Sequence, residues 1–134
     1  MNCQIEFQNK WEETWKTAAM LYHHGTSNPA VLAPKIKEQL ELAWSILKRF
    51  DKQTLWDAEM VAGLICSFPV ISAENPLPGY LPSMQYHADL EYIYRVELIV
   101  GGDFVIKIYK VVDRRALTLE STEGLFFVDS MKSP

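Results

Sequence analysis

The sequence predicts an α+β fold: three N-terminal helices packed on one face of a four-stranded antiparallel meander, with residues 3–8 available as a short edge strand. Three observations carry that reading. Leu90 to Val112 holds two β-rich runs on either side of Gly101-Gly102-Asp103, the strongest hairpin signal in the chain. Residues 9–66 place apolar side chains at helical spacing. Residues 67–86 interrupt every period with Pro69, Pro76, Pro78, Gly79 and Pro82. At 134 residues the expectation is one domain, with a helical layer at 9–66, a Pro-rich crossover at 67–86 and an antiparallel sheet at 87–129.

Taken in order, Cys3, Ile5 and Phe7 alternate with Gln4, Glu6 and Gln8, the period of a strand. In 9–24, Trp11, Trp15, Ala18, Ala19 and Tyr22 fall on one helical face, with Asn9 and Glu12 as a capping box and Gly25 as a stop. Pro34 suits the first position of a second helix over 34–50, whose stripe includes Ile36, Leu40, Ala43, Trp44, Leu47 and Phe50. Thr54 opens a third helix with Asp57 three residues on, a core stripe of Leu55, Ala58, Val61, Ala62 and Ile65, and Gly63 for close approach.

In the long hairpin, Tyr92, Tyr94, Val96, Leu98 and Val100 are apolar, as are Phe104, Ile106 and Ile108. The two sets share a face only if paired residue numbers sum to an even value. Val100 opposite Phe104 meets that condition, leaves Gly101, Gly102 and Asp103 as the loop, and sets Glu97 opposite Lys107. The even face is then expected to carry the helices and the odd face to meet solvent. Leu117 and Leu119, then Leu125 to Asp129, supply the remaining strands.

Hydrophobic residues at 49% and charged residues at 22% are ordinary for a globular core. Two cysteines, Cys3 and Cys66, and no leader segment point to free thiols in the cytoplasm. The longest uncharged run, Met60 to Ala73, is too short to cross a membrane. The net charge is -4, and residues 53–103 carry seven acidic side chains against Arg95 alone. That balance argues against nucleic acid, whose phosphates need a basic patch, and favours a protein partner with a basic surface.

Motifs that carry chemistry are sparse. His23-His24 at a helix end would point about 100° apart and do not converge on a metal. His87, Asp89 and Glu91 at i, i+2 and i+4 share one strand face and form the best acid–base or ion site. Cys66 on an apolar helix reads as a small core residue. No phosphate loop, Cys-x-x-Cys pair or nucleophile elbow is present, so no cofactor and no metal are expected.

The leading expectation is a non-enzymatic adaptor or inhibitor that masks a basic surface on a larger partner. Its contact surface would combine Glu74, Pro76, Pro78, Tyr80, Tyr86, Asp89, Glu91, Glu97 and Asp103. The second reading is a small enzyme or small-molecule binder. Its pocket would lie between the helices and a curled sheet, lined by Trp15, Trp56, Tyr92 and Tyr94, with His87, Asp89 or Glu91 as acid or base. A third reading is a homodimer formed through the exposed sheet or its last strand.

Overall fold

The structure is a computed structural model and describes residues 2–25, 27–50, 55–68 and 79–134. Strands β1 (Asn2–Trp11) and β2 (Thr14–His24) come first, then helices α1 (Pro29–Leu47) and α2 (Ala58–Ser67). Strands β3 (Leu81–Ser83), β4 (Leu90–Ile99), β5 (Asp103–Val111) and β6 (Leu125–Lys132) follow. They form one six-stranded sheet in the order β3-β2-β1-β4-β5-β6, antiparallel except for the parallel pair β1–β4. This mixed sheet with two helices replaces the expected three helices on a four-stranded antiparallel meander. No helix among the described residues is long and apolar enough to cross a membrane.

The largest correction is at residues 9–24, expected as a helix and found as a β-hairpin. Trp11 pairs with Thr14, and Glu12 and Glu13 between them have φ of 48° and 66°. Two successive left-handed residues are the signature of a tight hairpin turn that usually draws Asn-Gly, so Glu-Glu hides it. A bulge then hides the strand. Phe7 pairs with Ala19 and Gln8 with Thr17, leaving Ala18 as an extra residue. The extra residue breaks the two-residue period, and the side chains fall into a spacing that imitates a helix. The alternation at 3–8 is a strand, but β1 lies in the interior of the sheet instead of at its edge.

Both remaining helices start where different caps act. Asn28 caps α1 by accepting from the Ala30 amide at 3.0 Å, and Pro29 takes the first helical position expected for Pro34, which sits inside the helix. Asp57 is itself the cap of α2, its Oδ1 accepting from Glu59 at 2.8 Å and Met60 at 3.3 Å. The expected opening residue Thr54 lies outside the described residues.

The β4–β5 register keeps the expected parity but slips by two. Leu98 faces Phe104 and Ile99 faces Asp103, so the loop is Val100, Gly101 and Gly102. The helices decide this. The Trp44 ring packs so closely on Gly102 (φ 85°) that a Cβ there would lie 2.3 Å from it, and Trp56 Nε1 donates to the Asp103 carbonyl at 3.1 Å. Glu97 still reaches Lys107 at 2.8 Å, from a diagonal position.

The even face of β4 and β5 carries the helices, as expected. Ile5, Phe7, Tyr94, Val96, Phe104 and Ile106 pack there against Leu32, Ile36, Leu40, Val61 and Ile65. The opposite face was expected to meet solvent, and it does not. Residues 84–90 and 113–124 fold across it, and Tyr22, Leu90 and Ile93 form a second cluster with Tyr86, Leu117 and Leu125. Arg114 ties these two covering segments together, donating to the carbonyls of His87 (2.6 Å) and Tyr86. The far face therefore carries a third layer.

Candidate functional site

Of the residues singled out from the sequence, those among the described residues do not lie on one surface. Glu74, Pro76 and Pro78 lie outside the described residues. Tyr80 is buried and donates its hydroxyl to Gln39 at 2.7 Å. Burial pushes its pKa up to about 12. Glu97 is buried and paired with Lys107. Asp89 precedes β4 and Asp103 opens β5 beyond its other end, so a strand length of about 30 Å separates them.

The expected pocket residues are split by the sheet itself. Tyr92, Tyr94 and Trp56 are part of the helix-side core, where the Tyr94 hydroxyl donates to the Ser27 carbonyl at 2.6 Å. Trp15 pairs with Lys10 in phase with Thr17 and so lies on the far face. His87 stacks on Tyr22 there with ring centroids 3.8 Å apart. The triplet His87, Asp89 and Glu91 also fails to converge. Asn2 pairs with Leu90 and Cys3 with Tyr92, so Glu91 sits at an irregularity, and its carboxylate accepts from Ser27 Oγ at 3.3 Å. Asp89 instead accepts from Asn2 and from Tyr22 Oη at 3.1 Å. Desolvation raises its pKa, but the bonds from Tyr22 and Asn2, a backbone hydrogen bond and the neighbouring His87 together outweigh it and hold the carboxyl below its usual range. Among the described residues no group of three His, Cys, Asp or Glu side chains is placed to hold a metal ion.

Beneath the far layer lies a network that sequence reasoning missed. Parallel pairing sets Glu6 beside Arg95, whose Nε reaches the Glu6 carboxylate at 3.1 Å, and both side chains are almost wholly buried. Glu6 also accepts from Thr17 Oγ1 and Tyr86 Oη, each at 2.7 Å. Arg95 spends its other nitrogens on the carbonyls of Ser121 at 2.6 Å and Thr118 at 2.8 Å. Burial depresses the Arg95 pKa, but Glu6 and Tyr86 more than offset it and keep the guanidinium charged. Burial, reinforced by the Glu6 carboxylate, pushes the Tyr86 hydroxyl well above its usual range. No buried side-chain nitrogen or oxygen among the described residues lacks a partner. The Arg95 guanidinium ties residues 118–121 to the sheet.

One candidate surface is the length of β2 that no described strand pairs. Strand β3 pairs only with Met20, Leu21 and Tyr22. No strand among the described residues pairs with Thr14–Ala19 on that side. Open grooves flank this length on both faces of the sheet. On the helix face Ala18, Ala19, Ala62, Gly63 and Cys66 line one of about 300 Å³, with Glu59 on its wall. On the far face Thr17, Met20, Met84 and Leu119 line one of about 220 Å³. Gly63 has open space where a Cβ would stand, so it borders the groove and does not serve the close packing expected of it. The two grooves share Ala18, Ala19, Met20 and Ser83, so they meet at the point where β3 ends. Compared with family models, curated proteins and solved structures, the chain matches none.

Proposed function

We propose that this chain is a small protein-binding domain that takes an extended segment of its partner as an added strand on the open length of β2. The observation that supports this is the pair of grooves on either face of the β2 edge at Thr14–Ala19, with which no described strand pairs. Successive side chains of an added strand point to opposite faces, so each would enter a groove while the backbone bonds to β2. Main-chain bonds then give affinity and the grooves give selectivity. The chain's own β3 already uses this edge in the same way. Small residues line the helix-side groove, and Glu59 is the charged side chain on its wall. A segment with apolar side chains and a lysine or arginine near Glu59 fits best, and the net charge of -4 steers a basic partner toward the domain. Bound in this way, the domain works as an adaptor or inhibitor by occupying a strand-forming segment of its partner.

The test is selection from a display library of extended peptides against the purified chain and a Gly63→Trp variant. The space for a Cβ at Gly63 is open, so the tryptophan enters the groove from there, and an unchanged circular dichroism spectrum checks that the variant folds. Expected are peptides of alternating character that bind the wild type and lose binding to Gly63→Trp. Their amide chemical-shift changes should centre on Thr14–Ala19, and they should slow alkylation of Cys66 in the groove. Peptides that bind both proteins equally, or whose shifts map elsewhere, would overturn the reading.

A further inference from the structure

Residues 113–124 cross the far face as a loop closed on itself. Its ends meet: the Val112 and Asp113 amides both donate to the Gly124 carbonyl, at 2.9 and 3.1 Å. Gly124 (φ 78°) packs so closely there that a Cβ would strike the Asp113 carbonyl. Within the loop, the Ala116 amide donates to the Asp113 carbonyl at 3.2 Å and the Arg115 amide to Asp113 Oδ1 at 3.1 Å. Thr118 Oγ1 lies 2.8 Å from Ser121 Oγ. A loop of this kind is a compact body with its ends together.

Its attachments to the rest of the chain are few and polar. Among the described residues, the hydrogen bonds that tie it down run through Arg95, Tyr86 and Arg114. Arg95 donates to the carbonyls of Thr118 and Ser121, and Tyr86 Oη donates to the Thr118 carbonyl at 3.3 Å. Arg114 donates back to the carbonyls of His87 and Tyr86. Leu117 is the loop residue that packs against the second apolar cluster, while Thr118, Leu119 and Glu120 are exposed. Lifting the loop gives up little apolar area, and water replaces most of each lost hydrogen bond. The sheet below keeps its ladders, because no residue of 113–124 takes part in them.

We propose that residues 113–124 form a flap that opens about its base at Gly124 while the six-stranded sheet stays folded, with Arg95 and Arg114 as its catches. A local opening of this kind needs less free energy than unfolding the core. It also reshapes the β2 edge. Leu119 stands on the flap and lines the far-face groove with Thr17 and Met84. In the open state that wall is gone, and the groove runs on toward Glu6, which accepts from Thr17. A partner side chain resting on Leu119 therefore holds the flap shut. That last effect rests on the strand-binding reading, whereas the flap itself does not, and its test uses no peptide.

Alkylation of two buried thiols on opposite faces of the sheet tests the flap. Cys3 is fully buried in the helix-side core and reports global unfolding. Ile93→Cys in a Cys66→Ser background places a second thiol beneath the far layer, in the cluster against which Leu117 packs. The thiol at position 93 is expected to react at least about tenfold faster than Cys3. Its rate should barely change in low urea, since a small opening exposes little surface. Arg114→Ala should speed it further and leave Cys3 unchanged. If Ile93→Cys fails to fold, Leu117→Cys on the underside of the flap gives the same comparison. Equal rates at the two thiols with the same urea dependence would overturn the proposal, as would an Arg114→Ala variant that shifts both rates together or neither.

Discussion

Glu6 and Arg95 show how a single pair can hold a layer in place. Neither is surface decoration: each is almost wholly buried, and the guanidinium also anchors two carbonyls of the covering segment. Breaking such a pair from one side is costly because it strands the other charge. Glu6→Gln is therefore expected to lower unfolding free energy by about 3 kcal/mol or more, read from urea unfolding midpoints. Arg95→Lys should not escape this loss, since a lysine cannot reproduce the forked geometry that serves three acceptors at once. Part of this was legible: Arg95 is the lone basic residue of the acidic segment 53–103. Its partner was not, because Glu6 lies 89 residues away and the two meet only through a parallel pairing that no local pattern announces. The same pairing explains Tyr86. Its aromatic, polar character suggested a contact residue, and it is a hydrogen-bond donor inside the network.

Among the elements, the helices and the long hairpin were readable because their periods are unbroken. The parity of β4 and β5 survives in the structure, as do the apolar stripes of α1 and α2 except at Phe50, which lies past the end of α1 and is exposed. The hairpin loop did not, because its position depends on contacts with Trp44 and Trp56 that hydrophobic alternation cannot encode. The β1–β2 hairpin was unreadable for local reasons: a glutamate pair in the turn and an extra alanine in the strand. That turn gives a direct prediction. Replacing Glu12-Glu13 with Asn-Gly relieves two left-handed residues that have a Cβ and no local hydrogen-bonding advantage. Stability is expected to rise by about 0.5–1 kcal/mol, seen as a higher melting temperature. The exposed Lys10–Glu13 ion pair lost in the exchange contributes little.

For the whole molecule, sheet order ranks the strands. β1 and β4 are bonded on both sides and covered on both faces, while β6 and the three residues of β3 are edges. Hydrogen–deuterium exchange should follow that order, with amides at Ile5 and Val96 slowest and those of β3 and β6 fastest. Slow exchange in β6 at low protein concentration, or fast exchange in β1, would contradict the topology. The three-layer arrangement itself was only half legible. Alternation separates the faces of a strand, but a polar face can be solvent-exposed or roofed by another layer. Asn2, Gln4, Glu6 and Gln8 look like a surface row and are all buried.

The parallel bond between β1 and β4 also fixes an order of events in folding. β1 gains one neighbour at once, through a two-residue turn, but its other neighbour lies about ninety positions further along the chain, with Gln8 finally meeting Glu97. A chain emerging from the ribosome thus completes its first hairpin long before anything can cover that hairpin's polar row or satisfy its second edge. Closing so large a loop carries an entropic cost that local contacts cannot share, and high contact order slows folding. Until β4 is made, the central strand of the finished sheet behaves as an edge, and any neighbouring nascent chain offers it a competing partner.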